Sequence, residues 1–191
     1  IIFLQTDSVG SKVSAELIRA GFLAVILAVC GVLFYIWIRF EWQFALGSIL
    51  ALMHDIIITL GVFSILKLEF NLSIIAALLT IVGYSLNDTV IVFDRVRENL
   101  KRFKSQSLVT VLNTSINETL GRTVMTSVTT LIALLSLYIL GGEVIRGFTF
   151  AMIFGVLIGT FSSIFIASSL LLNLGVKRDW STPSSGSGTQ Y

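Results

Sequence analysis

The sequence predicts an all-α, polytopic membrane bundle of five transmembrane helices with one amphipathic cytoplasmic helix between the third and fourth. Three observations carry that expectation. Of the 191 residues, 55% are hydrophobic and only 13% charged, about half the charged share of a soluble domain. The apolar residues run in unpatterned blocks of about 18 residues or more, the length that crosses a bilayer. Proline occurs once, as expected of spans whose backbone hydrogen bonds must all be made internally.

The elements follow in order. Residues 1–19 are a polar-to-apolar lead-in, expected to lie outside the membrane on the extracytoplasmic side. The first span is expected over 20–38, the second over 44–66 and the third over 72–93. The segment 95–120 is too polar to span, but Val96, Leu100, Phe103, Leu108, Val111 and Leu112 recur at helical spacing. That pattern predicts a surface helix with one apolar face. The fourth and fifth spans are expected over 123–140 and 147–174. Residues 175–191 end in STPSSGSGTQY, a Ser/Gly-rich composition that predicts a disordered tail.

Charge sets the orientation. Arg95, Arg97, Lys101, Arg102 and Lys104 fall between the third and fourth spans, Arg39 follows the first, and Lys177 and Arg178 follow the last. Cations stay on the cytoplasmic side, so the 39–43 turn, the 95–120 segment and the C-terminus are expected there. The N-terminus and the 67–71 and 141–146 turns then face outward. The cations of 95–120 suit headgroup contact with membrane lipids or the docking of a partner. A net charge of +2 and the lack of a basic-aromatic pattern exclude a nucleic-acid binder. Cys30, the single cysteine, cannot form an internal disulfide and is expected to be a small packing residue within the first span. No metal or phosphate motif is present, and no cofactor is expected.

The informative residues are the polar ones inside the spans. Asp88 lies about sixteen residues, or roughly 24 Å, into its span. A charge at that depth costs about 2.5–3.5 kcal/mol on insertion scales, so it should meet a partner or water. Arg122 opens the next span at comparable depth, on a small, hydroxyl-bearing face with Thr126, Thr129, Ala133 and Ser136. An Asp88–Arg122 pair across the two helices is therefore expected. It reads either as an ion pair that fixes helix register or as a carboxylate whose charge is switched as burial and the guanidinium pull in opposite directions.

His54 and Asp55 sit mid-way along the second span, where Gly47, Ala51, Asp55 and Thr59 share one face. Asp55 is either a proton-relay member or a polar clamp between helices, with His54 its hydrogen-bond neighbour. Ala151, Gly155, Gly159, Ser163 and Ala167 place a small residue at every fourth position, the signature of a packing seam. Ser85 with His54 suggests a different chemistry, a helix-borne serine activated by a histidine. The match is only three residues, and it leaves Asn87 and Asp88 without a part.

The longer run RFEWQFALGSILALMHDIIITLGVFSILKLEFNLSIIAALLTIVGYSLNDTVIVFDRVRENL, with TSINETLGRTVMTSVTTLIALL and GGEVIRGFTFAMIFGVLIGTFSSIFIA, closely resembles the SecF branch of the bacterial SecD/SecF family, within the RND superfamily. The resemblance runs from about residue 9 to 174. It implies a role in protein export across the bacterial inner membrane, driven by the proton motive force, with SecD as the pseudo-twofold partner half. It further implies the SecYEG translocon, YajC and the translocating preprotein as partners, and no enzymatic activity. The family's proton-pathway carboxylate falls on Asp88 and its arginine on Arg122. Tyr84 and Asn87 are implied only as supporting groups, and Asp55 and His54 have no firm assignment.

Family members carry a further first helix and an extracytoplasmic domain, so the chain reads as a fragment beginning before the second family span. Ser11 stands where proline is frequent. An RND-type exporter of small molecules or lipids, or a non-transporting scaffold, would use similar helices.

Overall fold

The computed structural model describes residues 11–67 and 72–176. The first ten residues of the lead-in, part of the 67–71 turn and the tail from 177 onward lie outside the described residues, as do Lys177 and Arg178. The chain forms α1 (Ser11–Arg39), α2 (Trp42–Ile65), α3 (Leu72–Arg102), α4 (Leu108–Leu140), α5 (Glu143–Phe161) and α6 (Ala167–Leu174), the last two joined by a π-helical turn, Ser162–Ile166. Among the described residues, five helical units are long and apolar enough to cross a membrane: α1 from Arg19, α2, α3 from Ser73, α4, and α5 through α6. Each expected span overlaps one of them.

The expected surface helix over 95–120 is not a separate element. At 31 and 33 residues, α3 and α4 are each roughly 46–50 Å long, well beyond a ~30 Å hydrocarbon core. Their polar ends make up most of the 95–120 segment and meet as an antiparallel hairpin. The break falls at 103–107, where Ser107 caps α4 by accepting a hydrogen bond from the Thr110 backbone N–H at 3.1 Å. The apolar stripe predicted there is real, but its two halves face each other. Val96, Leu100, Val111 and Leu112 are all buried.

α3 is the central helix and packs against α1, α2, α4, α5 and the π-turn. Its seam with α5 depends on small residues. Gly155 lies against Ile81 and Gly159 against Ser85, so closely that a methyl at Gly155 would overlap Ile81. The small-residue stripe from Ala151 to Ala167 is buried throughout, although the π-turn interrupts its four-residue spacing.

The buried apolar residues form two clusters. One gathers Phe44, Phe93, Val96, Val111 and Leu171 near the charged hairpin, with Phe44 and Phe93 edge-to-face at 5.3 Å. The other gathers Phe63, Ile74, Ile81, Met152 and Val156 toward the opposite end. Large apolar side chains on the outside, such as Phe22, Trp37, Ile57 and Ile139, are more than half exposed. A water-soluble protein would bury or partner such a surface, whereas lipid solvates it. Cys30 belongs to this surface. It is exposed and lines a shallow groove with Phe34, Trp37 and Trp42, and does not pack in the interior as expected. A span in lipid is free to turn an apolar thiol outward.

Candidate functional site

Between the two apolar clusters lies a polar layer. On α2 the first cluster ends at Leu52 and the second begins at Phe63. Asp55 and Thr59 fill the interval, 1% and 0% exposed. On α3, Ser85, Asp88 and Thr89 lie between Ile81 and Val92, each 1% exposed. On the last span, Ser162 and Ser163 separate Val156 from Ala167 and are wholly buried. Packing of α3 against α2 and against the last span brings these groups to one level.

Asp55 is held from three sides. Ser85 Oγ donates to its Oδ2 at 2.6 Å, and His54 Nδ1 lies 3.0 Å from its Oδ1. Ser162 from the π-turn also lies against the carboxylate. The α2 face predicted from the sequence is therefore the inward one, and Asp55 joins α2, α3 and the last span. Ser85 serves the carboxylate and not His54, so the serine–histidine reading has no geometry behind it.

Asp88 differs. Its Oδ2 is fully enclosed and has no hydrogen-bond partner. The expected ion pair with Arg122 is not formed. Arg122 is exposed and lines a cavity of about 330 Å³ at the hairpin with Asp94, Arg95, Glu98, Glu118 and Thr119. It remains close enough for its charge to act on Asp88. The reason lies in helix phase. The inward row of α4 is Val111, Ser115, Thr119, Thr123 and Ser127, and Arg122 stands about 100° away from it. Thr129, Ala133 and Ser136, expected on a packed face with Arg122, are likewise exposed, and Thr126 is half-buried.

Tyr84 donates from its hydroxyl to Ser127 Oγ at 3.3 Å, and Ser127 bonds Thr160 at 2.7 Å, linking α3, α4 and α5. Asn87 points outward and is exposed, so it is not a neighbour of the enclosed carboxylate oxygen. At the hairpin, Arg95 bonds Glu98 at 2.6 Å and Glu118 at 2.7 Å, while Asn99 bonds Glu118 at 2.6 Å and Ser115 at 3.0 Å. Arg39 pairs with Asp94 at 3.1 Å, which brings the end of α1 beside the cations of α3, as the charge pattern predicts.

The sequence reading missed Ser162 and the π-turn, and weighed Ser85 only as a serine beside His54. A signal for Ser85 was present, because it sits one turn before Asp88. Ser162 carried none apart from its neighbour Ser163.

Five apolar spans, one of them central, with Asp55, Thr59, Ser85, Asp88 and Ser162 buried mid-bundle, define a polytopic α-helical membrane protein with an intramembrane polar site. Among the described residues no group of three or more His, Cys, Asp or Glu side chains is placed to hold a metal. The chain belongs to the family described as protein export membrane protein SecD/SecF, C-terminal, which it matches over residues 2–177. It is 56% identical over its whole length to the protein translocase subunit SecF of Cereibacter sphaeroides, of which it spans 59%. It is 51% identical to the protein translocase subunit SecDF of Brucella abortus, over 92% of this chain and 23% of that one. Among solved structures, SecDF from Thermus thermophilus, described as a translocon-associated membrane protein, aligns with a TM-score of 0.83 and 47% identity. That alignment covers 86% of this chain and 23% of the SecDF chain.

Proposed function

We propose that this chain is the membrane part of a SecF subunit that works with SecD beside the SecYEG translocon, and uses the proton motive force to promote preprotein translocation across the bacterial inner membrane. YajC is a further partner in this reading. The observation that carries it is Asp88, whose carboxylate oxygen is enclosed in the polar layer with no partner. An ionisable group placed so deep in a span is retained for transport or charge switching more readily than for stability. One proton crossing 100 mV supplies about 2.3 kcal/mol, enough to drive the exchange of one helix contact for another.

Arg122 supplies the second state. Here it faces the hairpin cavity, and a rotation of α4 by up to about 100° about its axis would bring it toward Asp88. Protonation of Asp88 and approach of Arg122 then exclude one another, which couples proton passage to helix movement. The row bearing Arg122, Thr129 and Ser136 is uncovered within this chain and poorly suited to lipid, and the SecD half would cover it. Names of relatives that join the two halves, SecDF, support that partner. The cationic hairpin faces the cytoplasm, and the 141–146 turn faces outward.

The test uses the full-length protein assembled with its SecD partner in inner-membrane vesicles. Asp88→Asn should abolish the stimulation of export by an imposed proton gradient while the complex still forms. Undiminished stimulation would overturn the reading.

A further inference from the structure

Asp55 is a buried carboxylate that the proposed proton route does not use, and its strongest partner is a hydroxyl on the helix that carries Asp88. Ser85 and Asp88 are one turn apart on α3, a spacing that brings Cβ atoms to about 5–6 Å, and both are 1% exposed. The Ser85 hydroxyl carries one proton and can donate it to one acceptor at a time. In this structure it donates to Asp55 Oδ2 at 2.6 Å. The Asp88 Oδ2, on the same face, has no partner.

We infer that Ser85 is a positioning residue shared by two carboxylates, and that its hydroxyl, turned toward Asp55 or toward Asp88, ties the state of one to the state of the other. The inference rests on the reading of Asp88 as the coupling carboxylate. Rotation about χ1 moves the hydroxyl between its staggered wells, reaching Asp88 directly or through one water. No covalent bond is made or broken, since the hydroxyl only redirects its hydrogen bond. When Ser85 turns away, Asp55 keeps His54 and Ser162, so it is not left bare. Gly159 makes the arrangement possible, because a Cβ there would stand 3.0 Å from Ser85 Cβ and 3.4 Å from its Oγ. The ionisable groups facing the pair are His54 from α2 and Arg122 from α4. The π-turn brings only Ser162 and Ser163.

The link is read by infrared spectroscopy of the carboxyl C=O bands across a pH series, on the full-length protein assembled with its SecD partner. Asp88→Asn and Asp55→Asn each remove one band and so assign both. Asp55→Leu leaves no acceptor at that position, frees the hydroxyl and should displace the Asp88 band. In a Ser85→Ala background the same change should leave the Asp88 band unmoved, whereas Ser85→Thr should preserve the displacement. Where Ser85→Ala fails to assemble, Ser85→Cys, a far weaker donor, replaces it. An Asp88 band that ignores Asp55→Leu, or moves equally without the hydroxyl, overturns the inference. Gradient stimulation that survives Asp88→Asn despite a clear band displacement would instead overturn the transport reading and leave the hydroxyl link standing.

Discussion

At the scale of single residues, what separates Asp55, Asp88 and Arg122 is the number of neighbours each finds. The sequence marks all three equally as polar groups in apolar spans, and it places Asp55 correctly because Gly47, Ala51 and Thr59 define its face. It misplaces Arg122, since the Arg122 row and the Thr123 row of α4 both read as small and hydroxyl-bearing. Only packing against α3 and α5 selects between them. Glycines show the same dependence on surroundings. Gly155→Ala drives a methyl into Ile81 and should cost about 1–3 kcal/mol. Gly83→Ala meets nothing within 4 Å and should stabilise the helix by about 0.5–1 kcal/mol. Unfolding of the two variants in detergent, against the parent chain, checks both signs.

At the scale of elements, the number and order of the five apolar helices were legible because bilayer length and apolar composition mark them together, whereas α3 and α4 extend well past the expected spans, to Arg102 and from Leu108. The hairpin was not, because a stripe at helical spacing is the same whether one helix lies on a surface or two helix ends face each other. Ser107 decides it, ending the ambiguity with a cap of the kind that orphan N–H groups require. Ser107→Ala should destabilise the hairpin by about 0.5–2 kcal/mol. Hydrogen exchange at the first turn of α4 should rise accordingly, while exchange near Gly155 stays unchanged.

At the scale of the whole molecule, the polar layer divides the interior into two apolar bodies joined by hydroxyls and carboxylates. Such a division lets one body shift against the other at the cost of exchanging hydrogen bonds, without repacking a continuous core. Composition could announce the membrane and periodicity the helices, but the layer arises only when α2, α3 and the last span bring their polar intervals to one depth.

The π-turn at Ser162–Ile166 has a consequence for the register of this span. A turn closed by i→i+5 bonds holds one residue more than an α-turn, so the chain there carries a surplus residue between two correctly phased segments. Deleting Phe165, which is 59% exposed, should let the turn close as ordinary α-helix. Ala167 and Leu171 would then keep their inward direction. Deleting Leu157, which is 51% exposed and lies in regular helix, should swing everything after it by about 100° and turn both residues out. Assembly of the two deletion variants in membranes, intact in the first and lost in the second, would show that this turn holds one residue beyond the α-helical register.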